Sequence, residues 1–222
     1  MSAKPGLRER KKEQTRQAIA EAAHRLFRER GFDAVTVAQV AREADVSEGT
    51  VFNYFPTKEE LFYGQMESFE AALVDAVRAR PPGESVIQAF RRFVLDRARG
   101  LDERADVIDA AARVIGGSFA LQARERELVA EFTDALAALI AEDTGRGGVE
   151  PLVVANALMG AQRALVEHVR ASVLAGVRGA ELVRDTRAQG KRAFDRLERG
   201  LADYAIKQAR GNRAAPPRRD VS

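Results

Sequence analysis

Glu48, Gly49, Thr50, Asn53, Tyr54 and Lys58 fall within one short stretch, and their side chains suit reading a polymer better than reacting with one. Thr50 and Tyr54 carry hydroxyls that can donate to a phosphate, and the Thr50 methyl can meet a thymine methyl. Asn53 offers the adjacent donor and acceptor that match an adenine edge. Gly49 has no side chain to hold a groove at a distance. Glu48 can accept from a cytosine amino group, or simply complement a helix N-terminus. Lys58 adds positive charge beside backbone N–H groups that themselves favour phosphate. Upstream, Lys12 and Arg16 belong to a basic arm over residues 1–16 that leads into this stretch.

Such side chains need a short helix held rigidly against a partner. Val37, Val40, Ala41, Val46, Val51 and Phe55 have the spacing of an apolar seam between two short helices. Thr36 with Gln39 three residues on is a capping box for the first of them, and Ser47 caps the second, over 48–54. Pro56 disfavours helical geometry at Phe55 and closes it. A preceding helix is marked by Ile19, Ala22, Ala23, Leu26 and Phe27, with Gly31 as its stop. Thr57 with Glu60 opens a longer helix to about Arg78, which Pro81-Pro82-Gly83 breaks. The pattern over 19–54 is a helix-turn-helix.

The rest of the chain reads as helices with glycine punctuation. They are expected from Ser85 past Val94, over about 103–115, 119–142 and 151–174, and finally over 181–208. Pro151 sits where a first-turn proline belongs. No segment alternates like a strand. The fold class is therefore all-α, about nine helices. A helix-turn-helix domain over 1–57 precedes a larger helical domain over 58–210 and a disordered tail over 211–222.

Composition removes several alternatives. The chain has 222 residues and no cysteine, so disulfides and thiolate chemistry are excluded. Its net charge is +3, but residues 1–16 carry +4 and residues 207–222 another +4, leaving −5 for the body between. Basic ends on an acidic body suit local contact with a polyanion. No apolar signal core and no run of about eighteen apolar residues is seen, which leads to an expectation of a cytoplasmic protein without membrane partners. The two histidines, His24 and His168, lack metal-site spacing. The Gly145-Arg146-Gly147-Gly148 run has no preceding strand and no following Lys-Ser/Thr, so it is a loop rather than a phosphate cradle. No nucleophile elbow appears. Neither an enzyme nor a cofactor is expected.

The run GFDAVTVAQVAREADVSEGTVFNYFPTKEEL resembles the N-terminal domain of tetracycline-repressor-like (TetR family) bacterial regulators, matching at Gly31-Phe32, Thr36, Ser47, Gly49, Thr50, Phe52, Tyr54, Phe55, Lys58 and Leu61. The resemblance implies that Thr36 and Val37 approach phosphates and that Gly49, Thr50, Asn53, Tyr54 and Lys58 contact DNA. Phe52 stands where many members carry a phosphate-binding tyrosine; without the hydroxyl it is expected only to pack. The family's function implies a transcriptional regulator, most often a repressor, that binds a palindromic operator as a homodimer with half-sites about 34 Å apart.

The last two long helices are the expected dimer surface, through Leu165 and Val169 on one and the stripe Phe194, Leu197, Leu201 and Tyr204 on the other. A small apolar or amphipathic effector is expected among Phe69, Phe90, Phe93, Phe119, Phe132, Met159, Gln162 and His168. The alternative is a helical DNA-binding or scaffold dimer without effector. The mass of helix beyond the first domain favours a sensor.

Overall fold

The structure is a computed structural model. It describes residues 6–64, 66–145, 147–201 and 206, without the side chains of residues 7, 66–70 and 201. Ten α-helices run along the described residues: α1 Leu7–Arg30, α2 Val37–Glu43, α3 Glu48–Tyr54, α4 Lys58–Tyr63, α5 Met66–Arg78, α6 Val86–Arg97, α7 Leu101–Gly116, α8 Phe119–Thr144, α9 Glu150–Leu174 and α10 Gly179–Leu201. A 3-10 turn over Ala98–Gly100 joins α6 to α7. An isolated bridge between Ser85 and Ile206 is the extended pairing among the described residues. No helix there is long and apolar enough to cross a membrane.

Capping chemistry sets most of the boundaries. Thr36 Oγ1 accepts from the Gln39 N–H at 3.3 Å while Gln39 Oε1 accepts from the Thr36 N–H at 2.9 Å. Ser47, Thr57, Ser85 and Ser118 each accept from the backbone N–H three residues on. Each such cap is worth about 1 kcal/mol. The single helix expected over 58–78 is two helices. The chain turns at Gly64, where a Cβ would stand 2.9 Å from the Glu60 carbonyl oxygen and 3.2 Å from the Phe55 ring.

Three apolar clusters organise the helices. The first joins α1–α4, through Ile19, Phe27, Phe32, Val40, Val51, Phe55 and Leu61, to Val114 and Ile115 of α7 and Leu121 and Leu128 of α8. The division expected between residues 57 and 58 runs through it. The second lies between α5, α6, α8, α9 and α10 around Phe90, Leu136, Leu158 and Phe194. The third joins the 3-10 turn and α7 to Val169, Val173 and Leu182. Helix α9 packs along both α8 and α10.

Candidate nucleic-acid interface

Helix α3 is fixed from below and bare above. Val40, Ala41, Val51 and Phe55 of the expected seam are buried, and Val37 and Val46 pack half-buried against them. The turn between α2 and α3 is closed by the Val46 N–H donating to the Ala41 carbonyl at 2.9 Å, with Asp45 at φ 52°. That left-handed conformation is uncommon outside glycine, asparagine and aspartate.

On the outer side, Glu48, Gly49, Phe52 and Asn53 are exposed, and Thr50 and Tyr54 are half-buried. A Cβ at Gly49 would meet only Ser47 Oγ, at 3.8 Å. Nothing inside the chain therefore requires glycine there. The Thr50 hydroxyl shares a 2.8 Å hydrogen bond with Ser47 Oγ, which holds it at the helix entrance. Phe52 was expected to pack and does not: it is 46% exposed. It lies on the outer side of α3 because Val51 takes the inward position. An exposed phenylalanine on such a face suits apolar contact with a thymine methyl.

The cations are more committed than their positions in the sequence suggest. The Arg16 guanidinium stacks 4.7 Å from the Phe55 ring centre and donates to the Tyr54 carbonyl at 3.2 Å. The Lys58 ammonium sits 4.2 Å over the Phe32 ring. Burial pushes its pKa down, and the carboxylates of Asp33 and Glu59 partly restore it. Both cations therefore tie helices together at the rim of the surface. Lys12 is exposed on α1, and Thr36 is exposed at the head of α2, beside half-buried Val37.

Among the described residues, two hydrogen bonds join this surface to the rest of the chain. Ser118 Oγ donates to Asp33 Oδ1 at 2.8 Å, linking the start of α8 to the turn before α2. The Tyr63 hydroxyl donates to the Leu121 carbonyl at 3.1 Å. Burial and the nearby Glu125 carboxylate push the Tyr63 pKa well up, so that hydroxyl stays a donor.

Behind α1 and α4 lies a cavity of about 800 Å³, walled also by α6, the 3-10 turn, α7, α9 and α10. Its volume is that of a site for a drug-sized molecule. Of the residues expected around an effector, it is lined by Gln162. Phe90 and Met159 are buried in the second cluster, and Phe93 and Phe132 pack against that cluster's edge. Phe119 is 87% exposed in the first turn of α8. His168 pairs with Asp185 at 2.7 Å. The Phe69 side chain lies outside the described residues. Sequence reasoning missed Arg97, Arg104 and Thr186, which line the cavity from three different elements.

The expected dimer residues need a similar correction. Leu165 and Val169 are buried and line the cavity, because that side of α9 turns toward α6 and α7. Phe194 is fully buried against Phe90, with ring centres 5.9 Å apart, and Leu197 packs beside it. Phe194 and Leu197 thus serve the chain's own core. The Leu201 side chain and Tyr204 lie outside the described residues.

Comparison with known proteins agrees with this geometry. Residues 19–63 match the family model described as bacterial regulatory proteins, tetR family. The HTH-type transcriptional regulator TcmR of Streptomyces glaucescens is 36% identical over 110 residues, 48% of each chain. The HTH-type transcriptional repressor KstR of Rhodococcus jostii is 28% identical over 129 residues, 58% of this chain and 60% of its own. The chain thus spans about half the length of the curated relatives it matches. Among solved structures, NalD of Pseudomonas aeruginosa, the secondary repressor of the MexAB-OprM multidrug efflux pump, superposes with a TM-score of 0.56 at 22% identity. That match covers 82% of this chain and 96% of NalD. The helix-turn-helix described above is thus similar, over residues 19–63, to that of the tetR family of bacterial regulatory proteins, and the fold as a whole is similar to that of NalD.

Proposed function

We propose that the chain is a DNA-binding transcriptional regulator, a repressor that grips a palindromic operator as a homodimer and lets go when a small effector fills the cavity. The observation that carries this reading is the outer face of α3. Gly49, Phe52 and Asn53 stand free on a helix whose opposite side is locked into the core. Asn53 would read one base, Phe52 a thymine methyl, and Thr36, Thr50, Tyr54 and Lys12 the phosphates on either side. Glu48 at the head of α3 complements its N-terminus.

The dimer face suits the other side of α9. Leu152, Val153 and Leu174 are exposed there, with Gly160 and Ala164 between them. Small residues let a second helix approach closely, and the apolar ones would lose water on pairing. Effector and partner then share one helix. Occupying the cavity shifts the equilibrium between DNA-competent and incompetent spacing of the two reading helices, by no more than the ligand's differential affinity for the two states.

The test begins with selection of a duplex from a random pool by the full chain, followed by binding across a salt series. Asn53→Ala is expected to relax preference at one position, costing about 1–3 kcal/mol there. Lys12→Ala is expected to weaken all sequences alike and lower the salt slope by about one. Selection that enriches no sequence would overturn the reading. Sedimentation of wild type against Val153→Glu checks the dimer face, and an unchanged dimer in the variant refutes it.

A further inference from the structure

The cavity's lining specifies more than its size. Most of the wall is aliphatic, from Val94 and Leu101 across to Leu165 and Val169. Among the polar groups that interrupt it, two carry buried atoms without a partner. Thr186 is 5% exposed, and its Oγ1 has no hydrogen-bond partner; Oε1 of Gln162 is also buried without one. Both residues line the cavity, from α10 and α9 respectively. A buried acceptor without a donor is costly, and a group in the cavity that donates to it relieves the cost.

The charge on the lining is one-sided. Five arginines face one carboxylate, Glu21, which already accepts from Gln17 at 2.9 Å. Arg25 is paired with Glu43, and Arg170 with Glu125. Arg104 is held differently, by carbonyl oxygens. Its Nε donates to Gly100 at 3.0 Å and Nη2 to Arg97 at 2.8 Å. Burial, and then repulsion from the Arg97 guanidinium, push its pKa below the ordinary value. An arginine remains charged at neutral pH all the same. Half-buried positive charge in a fork geometry recognises oxyanions.

We propose that the cavity takes an amphipathic anion: an apolar body among the aliphatic walls, an oxyanion head on Arg104 beside Arg97, and an N–H or O–H group donating to Gln162 and shared with Thr186. This rests on the effector reading given above and names the class of effector. A neutral molecule of the same shape gains nothing from the Arg104 charge and binds more weakly.

Two fluorescent probes share an apolar aryl body and an N–H, and differ in charge: anilinonaphthalene sulfonate and the uncharged phenylnaphthylamine. Titrated into the full chain, the sulfonate is expected to bind at one site per chain and at least about tenfold more tightly than the amine. Arg104→Gln should remove that advantage and leave the amine's affinity unchanged. Gln162→Leu should weaken both probes alike. Equal affinities on the wild-type chain overturn the proposal, and that comparison decides it even where Arg104→Gln fails to fold. A DNA arm with the selected duplex separates the two readings. If the sulfonate binds through Arg104 but leaves duplex affinity unchanged, the anion site stands and release by an effector falls. If both probes bind equally and both release the duplex, the anion assignment falls and the regulator stands.

Discussion

Ser118→Ala tests how tightly the reading surface is joined to the helices behind it. The Ser118 hydroxyl has two roles: it donates to Asp33 Oδ1 at 2.8 Å, and it accepts from the Leu121 N–H at 3.4 Å as the N-cap of α8. Loss of a serine cap costs about 0.5–2 kcal/mol. A hydrogen bond to a charged group contributes about 1.5–3 kcal/mol, and the lower end applies because Asp33 is exposed while Ser118 is 1% exposed. The sum expected is about 2–3 kcal/mol, a large fraction of a domain's total stability. Urea unfolding followed by circular dichroism measures it. The partner term is isolated by a cycle with Asp33→Ala, where a coupling of about 0.5–2 kcal/mol is expected. Ser118→Ala alone should cost more than Asp33→Ala, since only the former also uncaps α8. Strict additivity of the two variants, or a total loss below about 0.5 kcal/mol, would show that the contact joins nothing and refute the reasoning.

Other perturbations follow from single features. Asp45→Val places a β-branched residue at φ 52° and is expected to cost about 1–2 kcal/mol in thermal or urea unfolding, while Asp45→Gly should be tolerated. Arg80 is 1% exposed and donates to the Val77 carbonyl at 2.8 Å and to the exposed Asp143 carboxylate at 2.7 Å, so Arg80→Ala leaves a buried carbonyl short of a donor and should cost about 1–3 kcal/mol in urea unfolding. His24 has its pKa lowered by burial, against a smaller raising effect of its hydrogen bond to the Phe62 carbonyl. The unfolded chain therefore binds the proton more readily, and stability falls as pH drops below about 6.5. His24→Phe should flatten that part of the pH–stability curve; an identical slope in the variant would remove His24 as its cause.

What the sequence revealed, and what it concealed, has a common physical cause. Caps are local: Thr36 with Gln39, Ser47 and Ser85 with Gln88 announce themselves within four residues, and each forms as read. The seam of Val40, Val51 and Phe55 follows from period alone. Long-range partners leave no such trace. Nothing in the spacing says that Arg16 lies on Phe55 or Lys58 on Phe32. Aromatic residues at helical spacing mark burial without saying what lies opposite, so Phe90 and Phe194 were open to effector or dimer readings and proved to pack on each other. The cavity needed the most, because it is the gap left between seven elements. Gln162 looks like any half-exposed glutamine until α10 brings Thr186 beside the same space. The turn at Gly64 was hidden because a lone glycine in a helical pattern is commonly tolerated.

The first apolar cluster bears on how this protein can be taken apart. Ile115 and Leu121, far along the chain, are packed among Phe27, Phe32 and Leu61. The N-terminal helices are therefore not a cartridge to be clipped off and grafted onto a foreign body. A chimaera joined after residue 64 would bare the faces that residues 114–128 cover, and would meet whatever α7–α8 corner its new host supplies. Transplanting the reading head of this chain means carrying that corner with it, in two pieces from distant parts of the sequence.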